Sequence, residues 1–183
     1  LLTGAILSLY PLVRVVGGIP MKLFAKACAP AQAVGFSTRS SMASLPPMLE
    51  EAERTLRLPD AVSGLVLPAS VSVFKFASPM TRIAGSYFVA SLFGVELGPL
   101  EWGALAGFMG LLSFYSPGIP SGGLFVMAPI YEAFGLPIEG IGILIALDLI
   151  PDMYLTVANV TGDMAVAAVI GGPRRLPPEA EVL

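Results

Sequence analysis

Between Ala146 and Asp163 the chain reads ALDLIPDMYLTVANVTGD, an apolar run that nevertheless carries three carboxylates, Asp148, Asp152 and Asp163. Read as a helix, Asp148, Asp152, Thr156, Asn159 and Asp163 follow one another at spacings of four, four, three and four, which puts all five on one face. Carboxylates in a segment of membrane length are expensive, so they line a binding site or an ion path. A polar stripe on an otherwise greasy helix points to a transport pathway before it points to an enzyme.

The composition agrees with a membrane protein. Hydrophobic residues make up 55% and charged residues 13% of the chain, against about 25% charged in soluble domains. The mean hydropathy is +0.81. A net charge of −3, of mixed sign, gives no footprint for nucleic acid. With no His and a single Cys, Cys28, a disulfide framework is excluded and a zinc site is disfavoured. No basic region precedes the apolar start at Leu1, so no signal peptide is read; the chain opens inside an apolar segment, and upstream sequence is expected.

The apolar segments are interrupted. Residues 1–16 read as the end of a transmembrane helix, broken by Gly17-Gly18-Ile19-Pro20. Residues 17–60 hold a half-length segment, a polar tip Ser37-Thr38-Arg39-Ser40-Ser41, a second short segment from Met42, and a charged stretch Glu50 to Asp60 that reads as an aqueous loop. Residues 61–98 are long enough to span, but Lys75, Ser78-Pro79 and Arg82 disturb the middle. Residues 99–137 repeat the half-length pattern around a tip from Ser116 to Gly123. Residues 138–171 form the final transmembrane helix, and 172–183 a tail carrying Arg174-Arg175.

A half-segment of about 13 to 16 residues is too short to span, which takes roughly 20. Two in succession, joined by a Gly, Pro or Ser tip, read as a re-entrant hairpin; two ordinary helical hairpins are the plainer alternative. Irregular backbone at membrane depth survives only where protein or a water-filled cavity covers it. A doubled pattern of interrupted segments points to a transporter site at the interface of two inverted repeats. The expected fold is an all-α membrane protein with two re-entrant helical hairpins and two long broken transmembrane helices.

The chain resembles the dicarboxylate/amino acid:cation symporter family, the glutamate transporter group, over about residues 17 to 171. The resemblance is carried by Thr38-Arg39-Ser40-Ser41 with Leu45-Pro46, by Gly118-Ile119-Pro120 with Gly122-Gly123, and by Asn159-Val160-Thr161-Gly162-Asp163. It implies a mobile transport domain, with the second hairpin as gate. It implies a substrate site at Ser40, Ser41, Ser78, Gly118, Gly123, Asp152 and Thr156, with Ser41 and nearby amides on the substrate α-carboxylate and Asp152 on its amino group. It implies a sodium site at Asn159 and Asp163. The chemistry of each fits: free amides and hydroxyls suit carboxylates, a carboxylate suits an ammonium, and hard oxygens suit a small hard cation.

Two departures narrow the expectation. The family's Asn-Met-Asp-Gly-Thr break reads Phe74-Lys75-Phe76-Ala77-Ser78 here, so the side-chain oxygens of the Asn and Asp are gone and only Ser78 keeps a hydroxyl. Members that take acidic substrates often carry an arginine three residues after the amine-binding aspartate; here that residue is Leu155. A neutral side chain on the substrate follows.

Lys75 lies 15 residues from Asp60, about 22 Å along a helix, too deep to reach water easily. A buried lysine needs an acidic partner. Lys75, Arg82 and Asp148 are therefore charge-pair or coupling candidates. Lys75 facing Asp163 would stand in for a bound cation, with Na+ or H+ as coupling ion and no cofactor. An aspartyl enzyme built on Asp152 and Asp163 is excluded by their separation of about 16 Å along one helix.

The sequence thus reads as the substrate-binding part of a secondary active transporter for a small, neutral amino acid. The expected partners are the amino acid and membrane lipid. A homotrimer is expected through scaffold helices outside this chain. The expected setting is the cell's inner or plasma membrane with a cytoplasmic C-terminus, argued from Arg174-Arg175. The alternatives are a sodium-independent or proton-coupled exchanger, or a non-transporting relative that keeps the fold.

Overall fold

Glycine or proline stands at many of the described helix boundaries. The computed structural model describes residues 1–115 and 120–172, and its elements there are helices. They are α1 (Leu2–Val16), α2 (Met21–Thr38), α3 (Leu45–Arg54), α4 (Leu67–Val73), α5 (Ser78–Phe93), α6 (Pro99–Ser113), α7 (Gly122–Phe125), α8 (Ala128–Ala133), α9 (Glu139–Leu147) and α10 (Leu149–Gly171). A single π turn, Val62–Val66, leads into α4. Proline occupies the first turn of α3, α4, α5, α6 and α8, where the missing N–H has no intrahelical acceptor to lose. Glu101 Oε2 accepts the Gly98 N–H at 2.6 Å and so caps α6. Gly94, at φ 67, ends α5 in the left-handed region that suits glycine.

Two apolar cores form. The first joins α1, α2, α3, α4 and the C-terminal half of α10 through Val13, Phe24, Cys28, Met48, Val71, Val160 and Met164. Gln32 stitches it, donating to Thr161 Oγ1 at 2.8 Å and to the Tyr10 hydroxyl at 3.0 Å. The second joins α5, α6, α8 and α9 through Val89, Leu105, Met109, Tyr131 and Ile141. Here Tyr131 donates to Ser86 Oγ at 3.1 Å. The run Val62–Phe93 and helix α10 are the two described stretches long and apolar enough to cross a membrane. The 23 residues of α10 extend about 35 Å, against a hydrocarbon core of about 30 Å. Leu7, Val15, Leu65, Leu100 and Leu111 stand exposed, an apolar exterior of the kind that marks a lipid or protein contact.

Both long segments are broken between the two cores. The first stops at Val73, turns extended at Phe74 (φ −96, ψ 90) and resumes at Ser78. The second, the segment expected over 138–171, ends α9 at Leu147, turns at Asp148 and restarts at Leu149. Gly162 carries no Cβ because Phe76 occupies that space: a Cβ would meet the ring at 2.6 Å. The extended break is thereby laid directly on α10.

The charged stretch expected as a loop departs from expectation. Glu50 to Arg54 close α3, and Glu51 is buried. Its carboxylate accepts hydrogen bonds from the Thr55 hydroxyl and the Arg54 guanidinium, four and three residues on. The Thr55 bond, helped by Arg54, holds that carboxyl below its usual range. Such local partners let a charged helix end turn inward.

Candidate functional site

A cavity of about 250 Å³ opens between the two cores, where both helix breaks meet both hairpin tips. Its size is at the lower edge of small-molecule sites, which run from roughly 300 Å³ upward. Polar groups enter from four directions. Arg39 and Ser41 come from the α2–α3 tip, Lys75 and Ser78 from the first break, Ser121 to Gly123 from the second tip, and Asp148, Asp152, Thr156 and Asn159 from the second break and α10. Leu124, Leu144, Leu147, Pro151 and Leu155 fill the spaces between them.

The first tip turns because Arg39 takes the left-handed conformation, φ 54, after Thr38. Ser40 spends its hydroxyl on the turn, accepting the Ala43 N–H at 3.3 Å. Ser41 is buried at the cavity wall. The two serines therefore divide: Ser41 faces the cavity and Ser40 stands outside its lining.

The second tip meets Asp152. Ser121, also left-handed at φ 53, donates its backbone N–H to Asp152 Oδ2 at 3.2 Å. The same oxygen lies 3.9 Å from Arg39 Nη1. Asp152 thus touches both hairpin tips at once. Asp148 stands at the residue before α10, one turn earlier, and shares the cavity. Gly123 lines the cavity; Gly118 lies outside the described residues, as do Arg174 and Arg175.

At the first break, Asn159 Oδ1 accepts the Ala77 N–H at 3.1 Å, supplying a partner to backbone that the break leaves open. Lys75 is 3% exposed and donates its ammonium to the Val71 carbonyl. It is also the counter-charge acting on Asp163. The two do not close to a hydrogen bond: neither oxygen of Asp163, a fully buried residue, has a hydrogen-bond partner among the described residues. Asp163 is separated from the rest of the stripe, because four of its five residues line the cavity and Asp163 does not. Phe74 and Phe76, with ring centroids 6.1 Å apart, flank Lys75 in sequence and add no side-chain oxygen.

Arg82 also lines the cavity, 3% exposed, and both of its terminal nitrogens lack an acceptor among the described residues. Ser121 and Thr81 are cavity residues that the sequence reading did not select. Ser121 had one signal, its place in the Pro120-Ser121-Gly122-Gly123 tip; Thr81 had none.

For sodium, the side-chain donors at hand are the two oxygens of Asp163, which have no hydrogen-bond partner among the described residues. Asn159 Oδ1 already accepts a backbone hydrogen bond. The donor set on the side chains is sparse for a hard cation, which takes several oxygens.

A sequence model described as the sodium:dicarboxylate symporter family matches residues 1–172. The chain is 31% identical over 138 residues to the neutral amino acid transporter A of Bos taurus and of Homo sapiens, covering 75% of this chain and 26% of each relative. It is likewise 31% identical over 138 residues to the neutral amino acid transporter B(0) of Mus musculus, covering 75% of this chain and 25% of that relative. The chain thus spans about a quarter of the length of the curated relatives it matches.

Proposed function

We propose that this chain, which belongs to the sodium:dicarboxylate symporter family, is the substrate-binding part of a secondary active transporter for a small amino acid. The family is one of integral membrane transporters, not enzymes. The observation that carries the reading is Asp152: a buried carboxylate on a cavity wall, touched by both hairpin tips. An ammonium is the ligand group that suits it. Ser41 and the amides of Gly122 and Gly123 border the same cavity and suit a carboxylate. The two helical hairpins act as re-entrant gates, and the two broken segments are inverted repeats. Alternating access follows from opening one tip or the other.

The substrate side chain is neutral in this reading. Leu155, Leu144 and Leu147 give it an apolar wall. The charges around the cavity balance without a ligand: Arg39, Lys75 and Arg82 against Asp148, Asp152 and Asp163. A zwitterion with no net charge keeps that balance, whereas an acidic amino acid breaks it. The relatives' names, neutral amino acid transporters, point the same way.

Lys75 favours a particular form of coupling. It supplies a fixed positive charge toward Asp163, at a break whose aromatic side chains offer no oxygen. Dependence on sodium is weak in this reading, and a proton or the exchanged substrate does the coupling. Assembly as a homotrimer through further scaffold helices and a cytoplasmic C-terminus complete the proposal.

The test is uptake by liposomes containing the full-length protein. Counterflow of labelled alanine or serine, competed by neutral amino acids and not by aspartate, is the expected result. A ligand-stabilised protein that drives no counterflow in sodium or in choline buffer would instead be a non-transporting relative.

A further inference from the structure

The cavity holds three cationic side chains, and two of them have partners. Arg39 approaches Asp152 at 3.9 Å. Lys75 donates to the Val71 carbonyl and faces the charge of Asp163. Arg82 differs. Its residue is 97% buried (3% exposed), it borders the cavity, and neither terminal nitrogen finds an acceptor among the described residues. The nearby Ser86 hydroxyl donates to the Arg82 carbonyl at 2.8 Å and accepts the Tyr131 hydroxyl.

A buried guanidinium without an acceptor carries an uncompensated desolvation cost. In a packed core such a group would be replaced or paired. On the wall of a cavity it is paired by what enters. The guanidinium fork matches the two oxygens of a carboxylate and binds them side by side, which a lysine cannot do.

We propose that Arg82 is the charged anchor for a carboxylate of the substrate. The assignment rests on the cavity being an amino-acid site. It divides the ligand's two charges between the two long segments: the ammonium goes to Asp152 on α10 and the carboxylate to Arg82 on α5. Ser41 and the Gly122–Gly123 amides then supply uncharged hydrogen bonds around the same group. Arg82 becomes a determinant of specificity that requires an anionic group on the ligand, whatever its side chain. The carboxylate comes from the α position or from an acidic side chain, and the experiment separates these sources.

The experiment measures equilibrium binding to the purified full-length protein, wild type against Arg82→Gln and Arg82→Lys. The probes are alanine, serine and aspartate, beside alaninamide and serinamide, which keep the amine and lack the carboxylate. In Arg82→Gln, affinity for alanine and serine is expected to fall about tenfold or more, as for loss of one charged hydrogen-bond pair. Affinity for the two amides stays unchanged. Arg82→Lys falls in between, because it keeps charge and loses the fork; if Arg82→Gln does not accumulate, this variant carries the comparison.

A loss confined to aspartate sustains the anchor and moves it to a side-chain carboxylate, which overturns the neutral-substrate reading instead. Equal losses for alanine and alaninamide, or no loss for any carboxylate, overturn the anchor. So does a chloride dependence of binding that vanishes in Arg82→Gln, since the bound anion is then a halide. Failure of every amine to bind the wild type overturns the amino-acid site itself, and the anchor with it.

Discussion

Arg39 Nη1 lies 3.9 Å from Asp152 Oδ2, so a base on the first hairpin tip faces the acid proposed to hold the substrate's amine. The two are unequally buried, with 27% of the Arg39 side chain exposed against 9% for Asp152. A pair this open to solvent contributes little, about 0.2–1 kcal/mol. An incoming ammonium shares Asp152 with Arg39 or displaces it. Arg39→Gln is therefore expected to change amino-acid affinity by less than about fivefold, with a weaker dependence on salt than the wild type. A loss of a hundredfold, read by isothermal titration, would make Arg39 itself a ligand of the substrate.

Leu155 sets the second prediction. It lines the cavity three residues after Asp152. Leu155→Arg adds a cation to a balanced site, so aspartate and glutamate should gain affinity relative to alanine and serine. Competition against a labelled neutral amino acid reads the ratio. An unchanged ratio in a folded variant would remove Leu155 from the account of selectivity.

The third prediction concerns Lys75 and Asp163. Removing one of two opposite buried charges leaves the other less compensated, which is destabilising. Lys75→Met should accordingly destabilise the protein strongly, and Lys75→Met with Asp163→Asn should recover most of that loss in a thermal melt. Wild-type substrate binding should persist in sodium-free choline buffer. A steep sodium dependence with a Hill coefficient above one, unchanged in Lys75→Met, would remove the lysine from coupling.

Much of this arrangement was legible because glycine, proline and isolated charges act locally. Gly17 to Pro20 separate α1 from α2, and Pro79 stands in the first turn after the break at Phe74 to Ala77. The four-residue spacing from Asp148 through Thr156, with Asn159 after it, places those side chains along one cavity. The reading lost accuracy where a partner distant in sequence decides. Asp163 continues the stripe by spacing, yet its counter-charge is Lys75, 88 residues away, arriving from the break between α4 and α5. Ser40 and Ser41 are adjacent and chemically identical; after the left-handed turn at Arg39, Ser41 lines the cavity and Ser40 does not. Glu51 looked solvated because it stands in a charged run; the bonds from Thr55 and Arg54 that satisfy its carboxylate exist only once α3 is formed. Ser121 carried no charge to draw notice, and it is the backbone N–H rather than the side chain that reaches Asp152.

The most direct test of the central claim is the affinity of Asp152→Asn for matched ligands with and without an amine, alanine against propionate, measured on the folded full-length protein. If Asp152 holds the ammonium, alanine loses about 2–5 kcal/mol of binding free energy, while propionate, weak at the outset, is unaffected. Equal losses for the two ligands, or alanine binding that survives the substitution, would contradict it.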